Sequence, residues 1–303
     1  MIHVRLLGTS AGGGLPQWNC GCANCRATRE GRISPRTQSS FAISSEERRW
    51  VLINASPDVR TQVEGFSPFH PRRGLFRDSP LTTVFLTNAD LDHTLGLVLL
   101  REGGPLLVYA TAAVREALET GLRLPQVLDA FNGVSWAEPS EEFAPLQERD
   151  GAVTGLSYRA ILLPGEAPPY ARGKFGEGRG HSVAYQIRDR RTGGRLLIAP
   201  DVAAVPRSLA QALEESEAVL FDGTFWSQNE LLQVKDGART AEAMGHLPIH
   251  DGSLEMLRDS PARKKFYVHI NNTNPILDPA SWERQQVERA GIQVGEDGAE
   301  FQV

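Results

Sequence analysis

The chain has 303 residues, of which 41% are hydrophobic and 23% charged, and its formal net charge is −5. This composition is typical of a globular protein, with enough length for one large domain or two small ones. The negative charge argues against nucleic-acid binding by bulk electrostatics, and no apolar run approaches the roughly 18 residues of a membrane span. The first residues lack the long apolar region of a signal peptide, so we expect a cytoplasmic protein without nucleic-acid or membrane partners.

Short apolar runs separated by Gly, Pro and Ser predict a strand-rich first half. The segments IHVRLLG, SSFAIS, RWVLINA and LTTVFLT have the length and the residue types of strands. The segment HTLGLVLLREG follows with apolar residues at helical spacing, so we expect a helix just after the fourth strand. PLLVYAT and AAVREALETGL then repeat the order of strand and helix.

The second half shows a similar alternation. SVAYQIRD, GRLLIAPD, AVLFDGT and a final KKFYVHI predict strands, and GSLEMLRDS predicts a helix. Two β-rich halves, each followed by helices, are typical of two sheets packed face to face with helices outside, which is an αββα sandwich. The same order also suits a doubly wound sheet, and the residue pattern alone does not separate the two.

All three cysteines of the chain lie in one short segment, CGCANC. Three cysteines cannot pair off as disulfides, and a cytoplasmic protein keeps its thiols reduced. The spacing of Cys20, Cys22 and Cys25 suits a tetrahedral zinc ion, which needs a fourth ligand from elsewhere. His246 and His250, in GHLPIHDG, are the leading candidates for that ligand, and a redox or merely exposed cysteine cluster is the alternative.

Polar residues stand at the ends of several predicted strands. Asp92 and His93 follow LTTVFLT, Asp201 follows RLLIAP, Asp222 closes AVLFD, and His269 lies near the end of KKFYVHI. Each residue alone is more often a turn former, a helix cap or a hydrogen-bonded rim residue. Their repetition over four strands indicates a shared site at the mouth of a sheet.

These motifs resemble a known family. TNADLDHTLGL resembles the H-x-H-x-D-H metal loop of the metallo-β-lactamase fold, with Asn88 and Asp90 in place of the first two histidines. GTSAGGGLPQWNCGCANC resembles the N-terminus of the branch that contains cyclic-phosphodiesterase and tRNA-processing proteins. Over essentially its full length, with LINASPDVR, LREGGPLLVYAT, FDGTFW and HINNTNPIL, the chain is similar to the coenzyme PQQ (pyrroloquinoline quinone) synthesis protein B family. The resemblance implies an αββα sandwich and a single domain over residues 1–303.

The resemblance also implies which residue completes the cysteine site. In the related phosphodiesterases, a histidine 23 residues before the last active-site histidine closes the three-cysteine zinc site, and His246 stands at that offset from His269. We therefore expect a closed structural zinc site at Cys20, Cys22, Cys25 and His246. Such a site has no open position for substrate and would pin the N-terminal loop to the second half of the chain.

The resemblance further implies one active-site metal instead of two, because Asn88 and Asp90 are poor substitutes for the histidines of the other metal. The ligands and catalytic residues that remain for the second metal are Asp92, His93, Asp201 and His269. The residues expected to contact these ligands or the substrate are Asn88, Asp90, His181, Asp222, Asn271 and Asn272.

Two histidines with one or two carboxylates and open positions suit zinc and also non-haem iron(II). Loss of the metal pair argues against phosphodiester hydrolysis. The family implies a role in PQQ formation from linked Glu and Tyr, so we expect an iron(II)- and O2-dependent hydroxylase that acts on the Tyr ring of this precursor. The alternatives are a non-catalytic carrier or transport protein for PQQ or its precursor and, third, a residual hydrolase.

Overall fold

The computed structural model describes residues 1–46, 49–131, 133–173, 179–234 and 237–303. The strands are β1 His3–Gly8, β2 Ser40–Ser44, β3 Trp50–Ile53, β4 Thr83–Phe85, β5 Leu106–Tyr109, β6 Val134–Ala137, β7 Ala144–Gln147, β8 Val153–Leu163, β9 Ser182–Asp189, β10 Arg195–Ala199, β11 Ala218–Asp222, β12 Lys264–Val268, β13 Gln293–Val294 and β14 Glu300–Gln302. The α-helices are α1 Ala23–Arg29, α2 Val59–Glu64, α3 Leu91–Thr94, α4 Gly96–Leu99, α5 Ala112–Ala117, α6 Leu124–Asp129, α7 Arg207–Glu214, α8 Leu254–Asp259 and α9 Trp282–Arg289. None of the helices in these ranges combines the length and the hydropathy that a membrane crossing requires.

The strands form two mixed sheets. The first has the order β14-β1-β2-β3-β4-β5-β6 and the second the order β13-β12-β11-β10-β9-β8-β7. In the first sheet the strands from β3 to β6 run parallel, and in the second sheet those from β10 to β13 do so. The remaining pairs are antiparallel. Each sheet therefore has a parallel half whose strands need helical connections across a face.

Three layers of buried apolar side chains separate the two sheets and the helices. The middle layer lies between the sheets and includes Leu6, Phe85, Tyr185 and Phe266. A second layer packs α2, α4, α5 and α6 on the outer face of the first sheet, and a third packs α7, α8 and α9 on the outer face of the second. Two sheets with helices on both outer faces make the αββα sandwich, so the predicted fold is confirmed and the doubly wound sheet is excluded.

The predicted elements differ from the structure at several places, and helices α1, α2, α6 and α9 were not predicted. The helix expected after the fourth strand begins earlier, at Leu91, and is divided between α3 and α4. Strands β6, β7, β8, β13 and β14 have no counterpart among the predicted elements. Several of these strands lie at sheet edges, and Gly and Pro next to them weaken the period-two pattern on which a strand prediction depends.

The two sheets are joined at the end where the polar residues lie. Asn88 forms an isolated antiparallel bridge with Ser182, and Ser10 forms a parallel bridge with Ile270. The hydroxyl of Tyr185, on the second sheet, donates to the carbonyl of Leu86, after β4, at 2.9 Å. The carboxyl ends of strands from both sheets therefore meet at one edge of the sandwich, as the sequence predicts for a shared site.

Gly96 allows α4 to lie directly against the chain that follows β3. A Cβ atom at this position would stand 2.3 Å from the carbonyl oxygen of Ser56 and 2.7 Å from that of Ala55. We expect Gly96→Ala to lower the free energy of unfolding by about 1–3 kcal/mol, because buried backbone must shift to admit the methyl group. Chemical denaturation measures the change. Gly104→Ala is the control, since its Cβ would meet nothing within 4 Å, and equal stability of the two variants would contradict this account of the packing.

Candidate metal centres and the adjoining cavity

The start of α1 brings the three cysteines together. Cys22 is the N-cap residue of α1, and its sulfur accepts a hydrogen bond from the backbone N–H of Cys25 at 3.5 Å. The sulfur atoms of Cys20, Cys22 and Cys25 lie within 4.8 Å of one another. Burial raises the pKa of the Cys25 thiol to about 11. Three thiolates at this position therefore need a cation to offset their charge, and zinc is the usual ion for such a ligand set.

Asn272, and not His246, lies at the fourth corner of this cluster. The side-chain amide of Asn272 is 3.1 Å from the sulfur of Cys20, 3.5 Å from that of Cys22 and 3.3 Å from that of Cys25. A half-turn of the amide exchanges its nitrogen for its oxygen, which is a ligand for metal ions. Three sulfurs and one oxygen at these positions fit a tetrahedral zinc ion. The expected role of Asn272 in contacting the substrate is corrected by this placement.

His246 lies instead beside the second site. Its Nδ1 is 2.8 Å from Asp222 Oδ2 and 3.3 Å from Asp201 Oδ1, and its ring stacks on His269 with 5.5 Å between centroids. Burial disfavours a charged imidazole, but Asp222 and Asp201 outweigh it and raise the pKa of His246 to about 10. The expectation that His246 binds the cysteine zinc is therefore corrected, because the structure uses its Nδ1 in an ion pair with Asp222.

Asp92, His93 and His269 converge on one point. Their ligand atoms lie within 4.8 Å of one another, with Asp92 Oδ2 3.2 Å from His269 Nε2 and 3.8 Å from His93 Nε2. The Nε2 atom of His93 is buried and has no hydrogen-bond partner in the described part of the chain. A buried ring nitrogen without a partner beside a carboxylate and a second imidazole fits a divalent metal ion with open coordination positions.

Local backbone geometry explains why these residues converge. Asp92 and His93 lie in the helical turn α3, where adjacent side chains diverge by about 100° and not by the half-turn of a strand. His269 follows β12 with a φ of 54°, in the left-handed region. Its ring thereby turns toward α3, and the N–H of the next residue, Ile270, donates to the carbonyl of Thr9 at 2.9 Å.

Asn88, at the position of the fold's first histidine, orients His93. Its side-chain oxygen accepts from Nδ1–H of His93 at 2.8 Å and from the backbone N–H of Asp90 at 3.0 Å. Its side-chain nitrogen donates to Asp201 Oδ2 at 2.5 Å. Since Nδ1 of His93 carries the proton, Nε2 presents a lone pair to the metal position. Burial lowers the pKa of His93, which keeps the ring neutral.

Thr224 performs the same task for His269. Nδ1–H of His269 donates to Thr224 Oγ1 at 2.8 Å, and the Thr224 hydroxyl donates to Asp222 Oδ1 at 2.6 Å. Asp222 therefore orients His269 through Thr224 and contacts His246 directly. Thr224 is not among the predicted site residues, although FDGTFW is typical of an aspartate turn. In this turn the N–H of Thr224 donates to Asp222 Oδ1 at 2.9 Å.

Asp201 does not join the group formed by Asp92, His93 and His269. Its oxygens lie against the side chains of Asn88 and His246. The structure places Asp201 beside these ligands, and its role as a metal ligand stays a prediction. The ligand atoms of Asp222, His246 and His269 lie as close together, but Asp222 is already paired with His246, and Nδ1 of His269 donates to Thr224.

A cavity of about 550 Å³ opens beside these ligands. The predicted site residues in its lining are Asn88, Asp90, Asp92, His181, Asp201, His246, His269 and Asn271. Burial, with the charges of Asp201 and Asp92, raises the pKa of Asp90 to about 7. His181 contributes a buried Nδ1 without a partner among the described residues and belongs to neither candidate metal group.

Asn271 is held at the cavity wall from behind. Its side-chain nitrogen donates to Thr273 Oγ1 at 2.5 Å, and the Thr273 hydroxyl donates to Glu230 Oε1 at 2.6 Å. The other oxygen of Glu230 accepts from the backbone N–H of Trp226 at 2.6 Å. Burial raises the pKa of Glu230 to about 7. No pattern in the sequence indicated Glu230, because a lone glutamate in a loop is usually exposed.

We expect Cys22→Ser to lose the zinc of the cysteine cluster and to lower the melting temperature by roughly 5–10 °C, because a structural zinc contributes folding free energy. His246→Ala should keep this zinc. Metal analysis by mass spectrometry and thermal unfolding provide the two readouts. Full zinc content and an unchanged melting temperature in Cys22→Ser would show that the cysteines do not hold the ion.

We expect Asn88→Ala to weaken metal binding at Asp92, His93 and His269 about 10–100-fold, because His93 loses the acceptor that sets its tautomer. Titration of the metal-free protein with zinc or iron(II) gives the affinity. Asn229→Ala removes an exposed amide outside the cavity lining and should leave the affinity unchanged. An Asn88→Ala protein with the affinity of the unmodified chain would mean that Asn88 does not orient the ligand.

Comparisons with known proteins agree with this architecture. Residues 49–270 match the beta-lactamase superfamily domain. The chain is 39% identical to coenzyme PQQ synthesis protein B of Pseudomonas savastanoi pv. phaseolicola, with 100% of both chains covered. It superposes on the crystal structure of zinc-bound PqqB from Methylobacterium extorquens with a TM-score of 0.88 and 36% identity, covering 99% of this chain and 100% of that one. A diphosphatase of the PhnP family shares the fold, with a TM-score of 0.67 and 18% identity over 100% of this chain and 98% of that one. The chain belongs to the coenzyme PQQ synthesis protein B family.

Proposed function

We propose that this protein acts in PQQ biosynthesis as an iron(II)- and O2-dependent hydroxylase of the tyrosine ring in a cross-linked Glu–Tyr precursor. The observation that carries the proposal is the convergence of one carboxylate and two imidazoles, Asp92, His93 and His269, beside a cavity of about 550 Å³. That volume lies within the range of sites for small organic molecules. The family name supports the pathway, and the ligand set supports the reaction class.

The residues fit iron(II) at this position. Asp92, His93 and His269 would hold the ion, and two imidazoles with one carboxylate are the ligand set of mononuclear non-haem iron oxygenases. When bound, iron(II) supplies the activation of dioxygen. Asn88 and Thr224 accept hydrogen bonds from the two Nδ1 atoms and thereby direct both Nε2 atoms toward Asp92, so the three ligand atoms already lie close together.

The overall reaction inserts one atom of O2 into a ring C–H bond and releases the other as water. The balance requires two protons and two electrons from an external reductant, such as ascorbate, which the assay must contain. The cavity wall offers the ring apolar surface from Pro164, Pro168, Pro169 and Phe225. These side chains would exclude water from one side of the ring, and Asp92 and His269 line the same cavity.

The same geometry argues against two-metal phosphodiester hydrolysis. A second ion would need ligands at the positions of Asn88 and Asp90, and the Asn88 amide is already engaged with His93 and Asp201. A metal pair normally clamps the attacking and leaving oxygens in such hydrolases. A carrier for PQQ or its precursor would use the cavity alone, so a requirement for the metal separates the enzyme from the carrier.

We expect the iron(II)-loaded protein, given O2, ascorbate and the cross-linked Glu–Tyr diamino acid, to form a product heavier by one oxygen atom. His93→Ala and His269→Ala should lose both iron binding and this product, because each removes one of three ligands, and should keep the zinc of the cysteine cluster. His250→Ala is the control, since His250 is exposed and contacts Asp251 outside the cavity.

Mass spectrometry with isotopically labelled O2 identifies the source of the inserted atom. Product formation by the metal-free protein, or by His93→Ala at the rate of the unmodified chain, would exclude the hydroxylase. Tight precursor binding without turnover under any metal would favour the carrier.

A further inference from the structure

The cavity beside the metal ligands carries more negative than positive charge. Within the described residues, its charged lining consists of the acids Asp90, Asp92, Glu166, Asp201 and Glu242 and the cations Arg172, Arg239 and His246. The charge of His246 is already offset by Asp222 and Asp201. The substrate of the proposed function, on which this inference rests, is built from two amino acids and carries carboxylates of its own. Like charges in a cavity of low dielectric repel strongly, so a polycarboxylate needs a cationic group to receive it.

Arg172 is already engaged by its own loop. Its Nε donates to the carbonyl of Ala167 at 3.3 Å, and its Nη2 lies 3.1 Å from Glu166 Oε2. The Nε and Nη2 atoms form one of the guanidinium edges on which a carboxylate binds with two parallel hydrogen bonds. In Arg172 this edge is satisfied by the protein itself, and its charge is offset by Glu166.

Arg239 lines the same cavity but keeps this edge open. Its Nη1 donates to the carbonyl of Ala243 at 3.0 Å, which fixes the guanidinium on the short segment that leads to His246. Glu242 also lines the cavity. Within the described ranges, however, no carboxylate oxygen lies within 4.0 Å of a guanidinium nitrogen of Arg239. Nε and Nη2 of Arg239 therefore have no protein partner in the described chain.

We propose that Arg239 binds a carboxylate of the substrate through Nε and Nη2 and is a specificity determinant for an acidic ligand. A rigid fork with one anchored nitrogen and two free donors matches the geometry of a carboxylate. Arg239 and His269 line one cavity. A carboxylate held by Arg239 therefore fixes one part of the substrate, while another part reaches the metal ligands. The adjacent acidic side chains repel anionic ligands and favour neutral or cationic ones. Arg239 therefore supplies the attraction that selects an acidic ligand.

The test measures binding without turnover. Zinc-loaded protein in O2-free buffer is titrated calorimetrically with the cross-linked Glu–Tyr diamino acid and, separately, with the analogue in which all of its carboxylates are carboxamides. Zinc has no redox chemistry, so the ligand stays unchanged during the measurement. The variants are Arg239→Gln, Arg239→Lys and, as a charge-matched control, Arg60→Gln, since Arg60 is exposed on α2 and outside the cavity lining.

We expect Arg239→Gln to bind the acid roughly tenfold more weakly, as loss of one charge-assisted pair at a partly exposed site predicts. Its affinity for the amide analogue should not change. Arg239→Lys should fall between the two, because lysine keeps the charge and loses the fork. Arg60→Gln should bind both ligands as the unmodified chain does.

Two results would overturn the role of Arg239 and leave the proposed function intact: full affinity of Arg239→Gln for the acid, or an equal loss of affinity for acid and amide. A different result bears on the proposed function. If the unmodified chain binds neither ligand, the Glu–Tyr precursor is not the substrate, and the carboxylate role of Arg239 falls with it.

Discussion

The left-handed backbone at His269 is the constraint on which both metal centres depend. A residue other than glycine at a φ of 54° costs of order 1–2 kcal/mol, and here tertiary hydrogen bonds offset that cost. Nδ1–H of His269 donates to Thr224 Oγ1 at 2.8 Å, and the N–H of Ile270 donates to the carbonyl of Thr9 at 2.9 Å. The turn sends successive side chains to different places: His269 to the active-site ligands, Asn271 to the cavity, Asn272 to the cysteines and Thr273 to Glu230.

The cysteine cluster therefore does more than join two parts of the chain. Asn24, in α1, donates to the carbonyls of Asn272 and Asn274 at 3.0 and 2.9 Å, so the helix that begins at the cysteines also holds the backbone after His269. A metal ion that orders Cys22 and Cys25 orders the first turn of this helix as well. The cysteine cluster therefore contacts the loop that carries His269, since Asn272 lies three positions after His269.

Asn88 stands where the metal loop of the fold has its first histidine, and its amide forms hydrogen bonds that an imidazole could not form. An imidazole at this position would offer one nitrogen to a second metal, and it could not also accept from His93 and Asp90 while donating to Asp201. The amide does all of this with its two atoms. The second metal is thus replaced by a hydrogen-bond network that ties the loop after β4 to the loop after β10. The residues present at this site therefore fit one metal ion, and Asn88 orients one of its candidate ligands.

These contacts also explain how far the sequence could predict the site. The two sheets could be predicted from the sequence, because strand periodicity is a local pattern. The convergence of Asp92, His93 and His269 could also be predicted, because the carboxyl ends of parallel strands meet at one edge. The sequence could not predict that Asn272, and not His246, lies beside the three cysteines. Both residues follow turns whose direction is set by contacts distant in sequence: Asp222 for His246, and the cysteines for Asn272. A histidine is the commoner zinc ligand, so residue type favoured His246. In the structure, position in the turn after β12 decides which side chain reaches the sulfurs, and residue type does not. The amide of Asn272 reaches them, whereas the imidazole of His246 is paired with Asp222.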